Sequence, residues 1–179
     1  MDSHSQRVTW HIDPDYSNIH FKIRHSGLAT LSGSFDRFEG TVKTENDQFS
    51  EANIKATVEV DSVNTGSADR DAQLRSGDLL QADRYPYITF TGKGLVADGS
   101  RTLLKGQLTI GDQTRLVTFH TYLGGTQTDL SGRMRFHIEL SGTVHRKAFG
   151  LEWRGAPGQA PRVVSDTVEI LIGIRLILV

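Results

Sequence analysis

The chain has 179 residues, 37% of them hydrophobic and 23% charged, with no cysteine. That is the size of one domain able to bury a core without covalent staples, and it excludes disulfides, thiolate chemistry and cysteine-ligated metals. Its 20 Lys+Arg against 21 Asp+Glu give a net charge of -1, so no sequence-wide field draws the chain to a nucleic acid or an anionic membrane.

In chain order, the N-terminal Met1 to Gln6 carries no apolar stretch and reads as disordered. It offers no signal peptide, so the chain as written reads as cytoplasmic, or as periplasmic if a leader has been removed. Ile19, Phe21 and Ile23 then alternate with His20, Lys22 and Arg24, the period of a strand with one apolar face. His25 shares the inward parity and reads as a core imidazole or a ligand contact.

In Gly33-Ser-Phe35-Asp-Arg-Phe38-Glu-Gly40 the two phenylalanines are three apart, so a bulge is expected to bring both to one face. Ile54, Ala56, Val58 and Val60 form the next alternating run. The one helical stretch is Ser67 to Gln81, with Ser67 as cap, Asp69 and Asp71 in the first turn, Leu74 as apolar contact and Gly77 as break.

Further strands follow at Ile88 and Phe90, at Leu104, Leu108 and Ile110, at Val117 and Phe119, and at Phe136, Ile138 and Leu140. The last and most apolar runs through Val168, Ile170, Ile172, Ile174, Leu176 and Leu178. Gly124 to Asp129 reads as a hairpin connection and Arg154 to Asp166 as a long loop. Neither an internal repeat nor a dividing linker appears, so residues 1–179 are expected to form one domain.

About eight half-buried strands with glycines inside them predict an all-β fold, an extended antiparallel barrel with a short helical segment near one end. Small residues at inward parity, Ala56, Gly92, Gly94, Gly106 and Gly142, are expected to leave internal volume. An apolar interior suits a lipid, gaining about 0.8 kcal/mol per buried methylene.

The expected wall is Phe21, Ile23, His25, Val58, Val60, Phe90, Leu108, Ile110, Phe119, Phe136, Ile138, Leu140, Ile170, Ile172 and Ile174. Leu74, Leu79 and Leu80 are expected to cover one end, and Arg70, Asp71 and Arg75 to form a head-group gate. The bland reading of those three is a solvated helix face with an i,i+4 pair between Asp71 and Arg75.

Signatures of catalysis are missing. The histidines His11, His20, His25, His120, His137 and His145 lack the spacing of a metal-binding helix, so no metal or cofactor is expected. There is no nucleophile elbow, phosphate loop or dinucleotide fingerprint. Two alternatives to a lipid carrier remain: an enzyme acting on a buried lipid with His25 at the cavity, and a solid structural or interaction barrel.

A series of short motifs resembles the YceI family, lipocalin-like polyisoprenoid-binding proteins. They are Trp10-His-Ile12-Asp13-Pro14, Ser17 to His25, Asp61-Ser62-Val63-Asn64-Thr65, Arg70-Asp71-x-x-Leu74-Arg75-Ser76, Tyr85-Pro86-x-Ile88-Thr89-Phe90, Gly106-x-Leu108-Thr109-Ile110 and Arg146-x-x-Phe149-Gly150-Leu151. The resemblance implies an isoprenoid, such as a quinone tail or prenyl diphosphate, held in an apolar pore by a binding protein that is not an enzyme. It also implies a homodimer, and fatty amides as cargo in some relatives. The chain departs from the family pattern after Ile110, at Leu79 and Leu80 where aromatic residues are usual, and at Ala148 where an acidic residue is usual.

Overall fold

The computed structural model describes residues 6–25, 29–45, 48–153 and 164–179. Eleven strands follow one another: β1 (Arg7–Ile12), β2 (Asn18–His25), β3 (Ala29–Phe35), β4 (Phe38–Glu45), β5 (Gln48–Glu59), β6 (Val63–Asn64), β7 (Tyr87–Asp98), β8 (Arg101–Ile110), β9 (Gln113–Thr128), β10 (Met134–His145) and β11 (Val164–Leu178). The helix α1 (Ala68–Arg75) stands between β6 and β7.

All the strands belong to one antiparallel sheet, and it closes because β1 pairs with β4 on one side and with β11 on the other. The ring has eight staves, three of them broken. Along β11, Trp10 faces Leu178 while Asn18 faces Gly173, so β1 and β2 are successive pieces of one stave. In the same way β3 and β4 form the second stave, and β5 and β6 the third.

Each break has a local chemical cause. Between β1 and β2, Pro14 has no N–H for a ladder and opens a 3₁₀ turn, which Asp13 caps by accepting from the Asp15 N–H at 3.2 Å. Asp13 also receives the Arg135 guanidinium, which reaches Asp129 at 2.8 Å on its other side. Between β3 and β4 the chain breaks at Asp36 and Arg37 rather than bulging within one strand, because the Asp36 N–H turns to Ser62 O at 3.1 Å and Arg37 O receives the Glu59 N–H at 3.0 Å. Phe35 and Phe38 still reach the same interior.

The helical segment is shorter than the sequence suggests. Ser67 caps α1 as expected, accepting from the Arg70 N–H at 3.4 Å, but the helix ends at Arg75. Ser76 starts a turn instead, its carbonyl accepting from both Leu79 and Gln81 N–H. Gly124 to Thr128 are strand rather than loop: β9 absorbs one extra residue at Gly124, where a Cβ would meet the His137 ring at 2.6 Å. The turn lies instead at Asp129 to Arg133, with Asp129 Oδ1 accepting from the Ser131 and Arg133 N–H groups at 2.8 and 3.0 Å. Of the loop expected over Arg154 to Asp166, residues 164–166 open β11 and 154–163 lie outside the described residues, as do residues 1–5 of the expected disordered start.

Candidate functional site

Inward side chains divide into two packed clusters that meet at Ile54 and Leu140. One closes an end of the barrel: Trp10, 2% exposed, lies 6.1 Å from Phe49 and 6.2 Å from Phe136, and Phe49 stacks on Phe136 at 4.7 Å between ring centres. Three interlocked rings fill the bore there. The other cluster gathers Val60, Ala82, Ile88, Ile110, Val117 and Phe149 toward the opposite end.

Between them runs a cavity of about 280 Å³ with no polar surface. On β11 alone its wall extends from Val168 to Leu176, about 26 Å of strand at roughly 3.3 Å per residue, so it is a slender tunnel rather than a round pocket. Its volume sits close to the lower edge of the roughly 300–1,000 Å³ usual for small-molecule sites.

Alternation places most of the expected residues in the wall. Phe21, Ile23, Val58, Phe90, Leu108, Ile110, Phe119, Ile138, Leu140, Ile170, Ile172 and Ile174 line it, and Leu74, Leu79 and Leu80 border it from α1 and the turn that follows. Six expected site residues stand elsewhere. Val60 lies in the 3₁₀ turn after β5, buried in the core at 1% exposure, and Phe136 belongs to the aromatic plug. His25 ends β2 opposite Ala29 and Val164, beyond Ile23, and does not line the cavity.

The proposed gate is spent on backbone structure. Asp71 Oδ1 accepts from the Thr65 N–H at 2.9 Å and from its hydroxyl at 2.6 Å. Arg70 donates through Nε to the same hydroxyl and through Nη2 to the Thr65 carbonyl, both at 2.9 Å. Arg75 makes no ion pair with Asp71 and does not line the cavity. These contacts tie α1 to β6. A neighbouring tie holds β3 to β6: Asp36 accepts from the Ser34 hydroxyl at 2.6 Å and Asn64 Nδ2 at 3.0 Å, hydrogen bonds that keep its carboxyl below the ordinary range.

The inward glycines do not provide the open volume. A Cβ on Gly142 would lie 2.8 Å from Phe119, on Gly92 3.0 Å from Phe90, and on Gly106 would clash with the same Phe90 ring. Gly33 is covered by the Phe21 ring, which a Cβ there would strike. Each ring lies across a neighbouring glycine, and this keeps the bulky side chains against the wall and out of the bore. Gly94 is at a bulge with φ +64, its α-carbon against the Ser50 carbonyl.

The wall also includes Ile12, Ile19, Phe35, Phe38, Ile88 and Leu104, along with a group the alternation does not mark: Arg146, Phe149, Leu151 and Trp153. Arg146 is 7% exposed, and its guanidinium donates to Ser165 O at 2.9 Å, Leu151 O at 2.8 Å and Val164 O at 3.0 Å. Its place after the inward run Ile138, Leu140, Gly142, Val144 and its membership of the motif Arg146-x-x-Phe149-Gly150-Leu151 are the signals the sequence offers.

A closed eight-stave antiparallel barrel around an apolar tunnel defines a lipocalin-like β-barrel. Residues 10–176 match the model of the YceI-like domain. The chain belongs to that family. It is 33% identical over 157 residues to a UPF0312 protein of Pseudomonas paraeruginosa, covering 88% of this chain and 79% of the relative. The fold is shared with BcnA of Burkholderia cenocepacia (TM-score 0.77, 19% identity, 92% of this chain and 98% of that one). It is shared too with a polyisoprenoid binding domain from Saccharophagus degradans (TM-score 0.70, 18% identity, 94% and 97%).

Proposed function

We propose that this protein binds a long apolar lipid, a polyisoprenoid such as a quinone tail or a prenyl diphosphate, and carries or stores it without altering it. The observation that supports this is the tunnel itself, which runs along the barrel and exposes only apolar surface to its interior. Such a bore gains free energy from each methylene withdrawn from water and asks for no hydrogen bond along the chain. The structural neighbour described as a polyisoprenoid binding domain supports the same ligand class. A reading as an enzyme needs a titratable group at the cavity, and its candidate, His25, stands outside the wall.

Native mass spectrometry of protein purified from its own host tests the reading. A reproducible added mass that disappears in Ile23→Glu is expected; a bare protein mass in every preparation contradicts it.

A further inference from the structure

We propose that the tunnel takes one short hydrocarbon chain of about ten to sixteen carbons, the size of a two- or three-unit isoprenyl group or a medium acyl chain; this rests on the lipid-binding reading and narrows it. One end of the bore is shut. Phe49 faces the cavity, while the Trp10 and Phe136 rings packed against it are buried and do not line it. Leu176, paired with both Ile12 and Phe136, is buried beside them. A chain that enters beside α1 stops at this floor.

Two measures of the space agree. The wall on β11 covers about 26 Å of strand. Barrel strands tilt by about 35–45° from the axis, which leaves roughly 20 Å along the bore. An extended chain with bonds of about 1.5 Å and angles near 111° advances about 1.25 Å per carbon, so roughly sixteen carbons span it.

Volume sets the lower figure. An apolar protein cavity of about 150 Å³ takes one benzene, roughly 25 Å³ for each carbon. At that ratio the 280 Å³ of this tunnel takes about eleven carbons. An eight-unit tail needs roughly 1,000 Å³, several times the space present. The Phe90 and Phe119 rings already pack against glycines of the wall, so a bulkier ligand gains no room from them. Because the bore exposes only apolar surface, the polar head of the lipid stays outside it.

The test uses the full chain stripped of lipid, with two ligand series displacing a fluorescent alkyl probe, each ligand kept below the concentration at which it aggregates. One series is straight-chain saturated acids from octanoate to eicosanoate; the other is prenyl alcohols of two, three, four and eight units. Affinity is expected to rise about fourfold with each carbon added, the gain of one buried methylene, and to stop rising between about ten and sixteen carbons. Farnesol should bind at least as tightly as the four- and eight-unit alcohols. The series that binds more tightly at equal carbon number identifies the chain as isoprenyl or acyl. Ala56→Leu enlarges a small side chain of the wall by three carbons and is expected to move the break shorter by about as many. A break outside that window, an eight-unit alcohol that outbinds farnesol, or a break that a folded Ala56→Leu leaves in place overturns the length assignment and leaves the lipid reading standing. Binding of no member of either series overturns both.

Discussion

Phe119 on β9 packs against Gly142 on β10, so close that a Cβ on the glycine would come within 2.8 Å of Cδ1 of the ring and 3.0 Å of the Thr118 carbonyl. A side chain at this position requires the ring or the neighbouring strand to shift. Gly142→Val should therefore drive Phe119 into the bore, costing about 1–3 kcal/mol of stability as an overpacked core site does. Urea unfolding should show the loss, and ligand affinity should fall with it; an unchanged midpoint would show that the ring is free to leave the glycine without strain.

The plug sets how far a chain can penetrate. Phe49 is half-buried, lines the cavity and stacks on Phe136 at 4.7 Å. Phe49→Ala should cost less than the roughly 3–5 kcal/mol of a fully buried phenylalanine, so the variant should fold. Competition among saturated fatty acids of increasing length should then favour a longer chain than the unsubstituted protein does. An unchanged optimum would place the chain's end elsewhere.

Thr65 holds α1 to the barrel through both faces of one hydroxyl, donating to Asp71 and accepting from Arg70. Thr65→Val should remove both bonds at a cost of about 1–3 kcal/mol. Leu74, Leu79 and Leu80 border the tunnel from this segment, so the ligand dissociation rate measured by stopped-flow fluorescence should rise more than the global stability falls.

Acid should loosen the turn between β9 and β10. The Asp129 carboxyl is held below its ordinary 3.8, first by the Arg133 backbone N–H and then by the Arg135 side chain. A carboxyl whose folded pKa is depressed stabilises the fold fully above its unfolded value and ceases to do so as pH falls through the folded one. Asp129→Asn should thus be less stable than the unsubstituted protein at neutral pH, and the gap should close as pH falls below about 4. Thermal unfolding across that range measures it; a gap independent of pH would mean the carboxylate charge is not what the turn uses.

Much of the tunnel is legible in the sequence because a half-buried strand writes its inner face at every second residue. Ile170, Ile172 and Ile174 needed no more than that. The errors cluster where the period breaks. Val60 keeps the parity of β5 but sits in a turn, and His25 keeps the parity of β2 but outruns the cavity. Arg70 and Asp71 resembled a surface gate because hydrogen bonds to Thr65 leave no trace in a charge pattern. The glycines suggested empty space, although only the structure could show which ring covers each one. Arg146 was hidden for a related reason: its three carbonyl partners come from segments 5, 18 and 19 residues away.

Methyl-labelled nuclear magnetic resonance offers the most direct test that the tunnel holds the ligand. When lipid-stripped protein is titrated with a polyprenyl compound, the methyl signals of Leu108, Leu140 and Ile172 inside the bore should shift and show contacts to the chain, while those of Leu116 and Val96 on the outer surface stay fixed. Shifts confined to the outer leucine and valine, with the three interior residues undisturbed at saturation, would contradict the account.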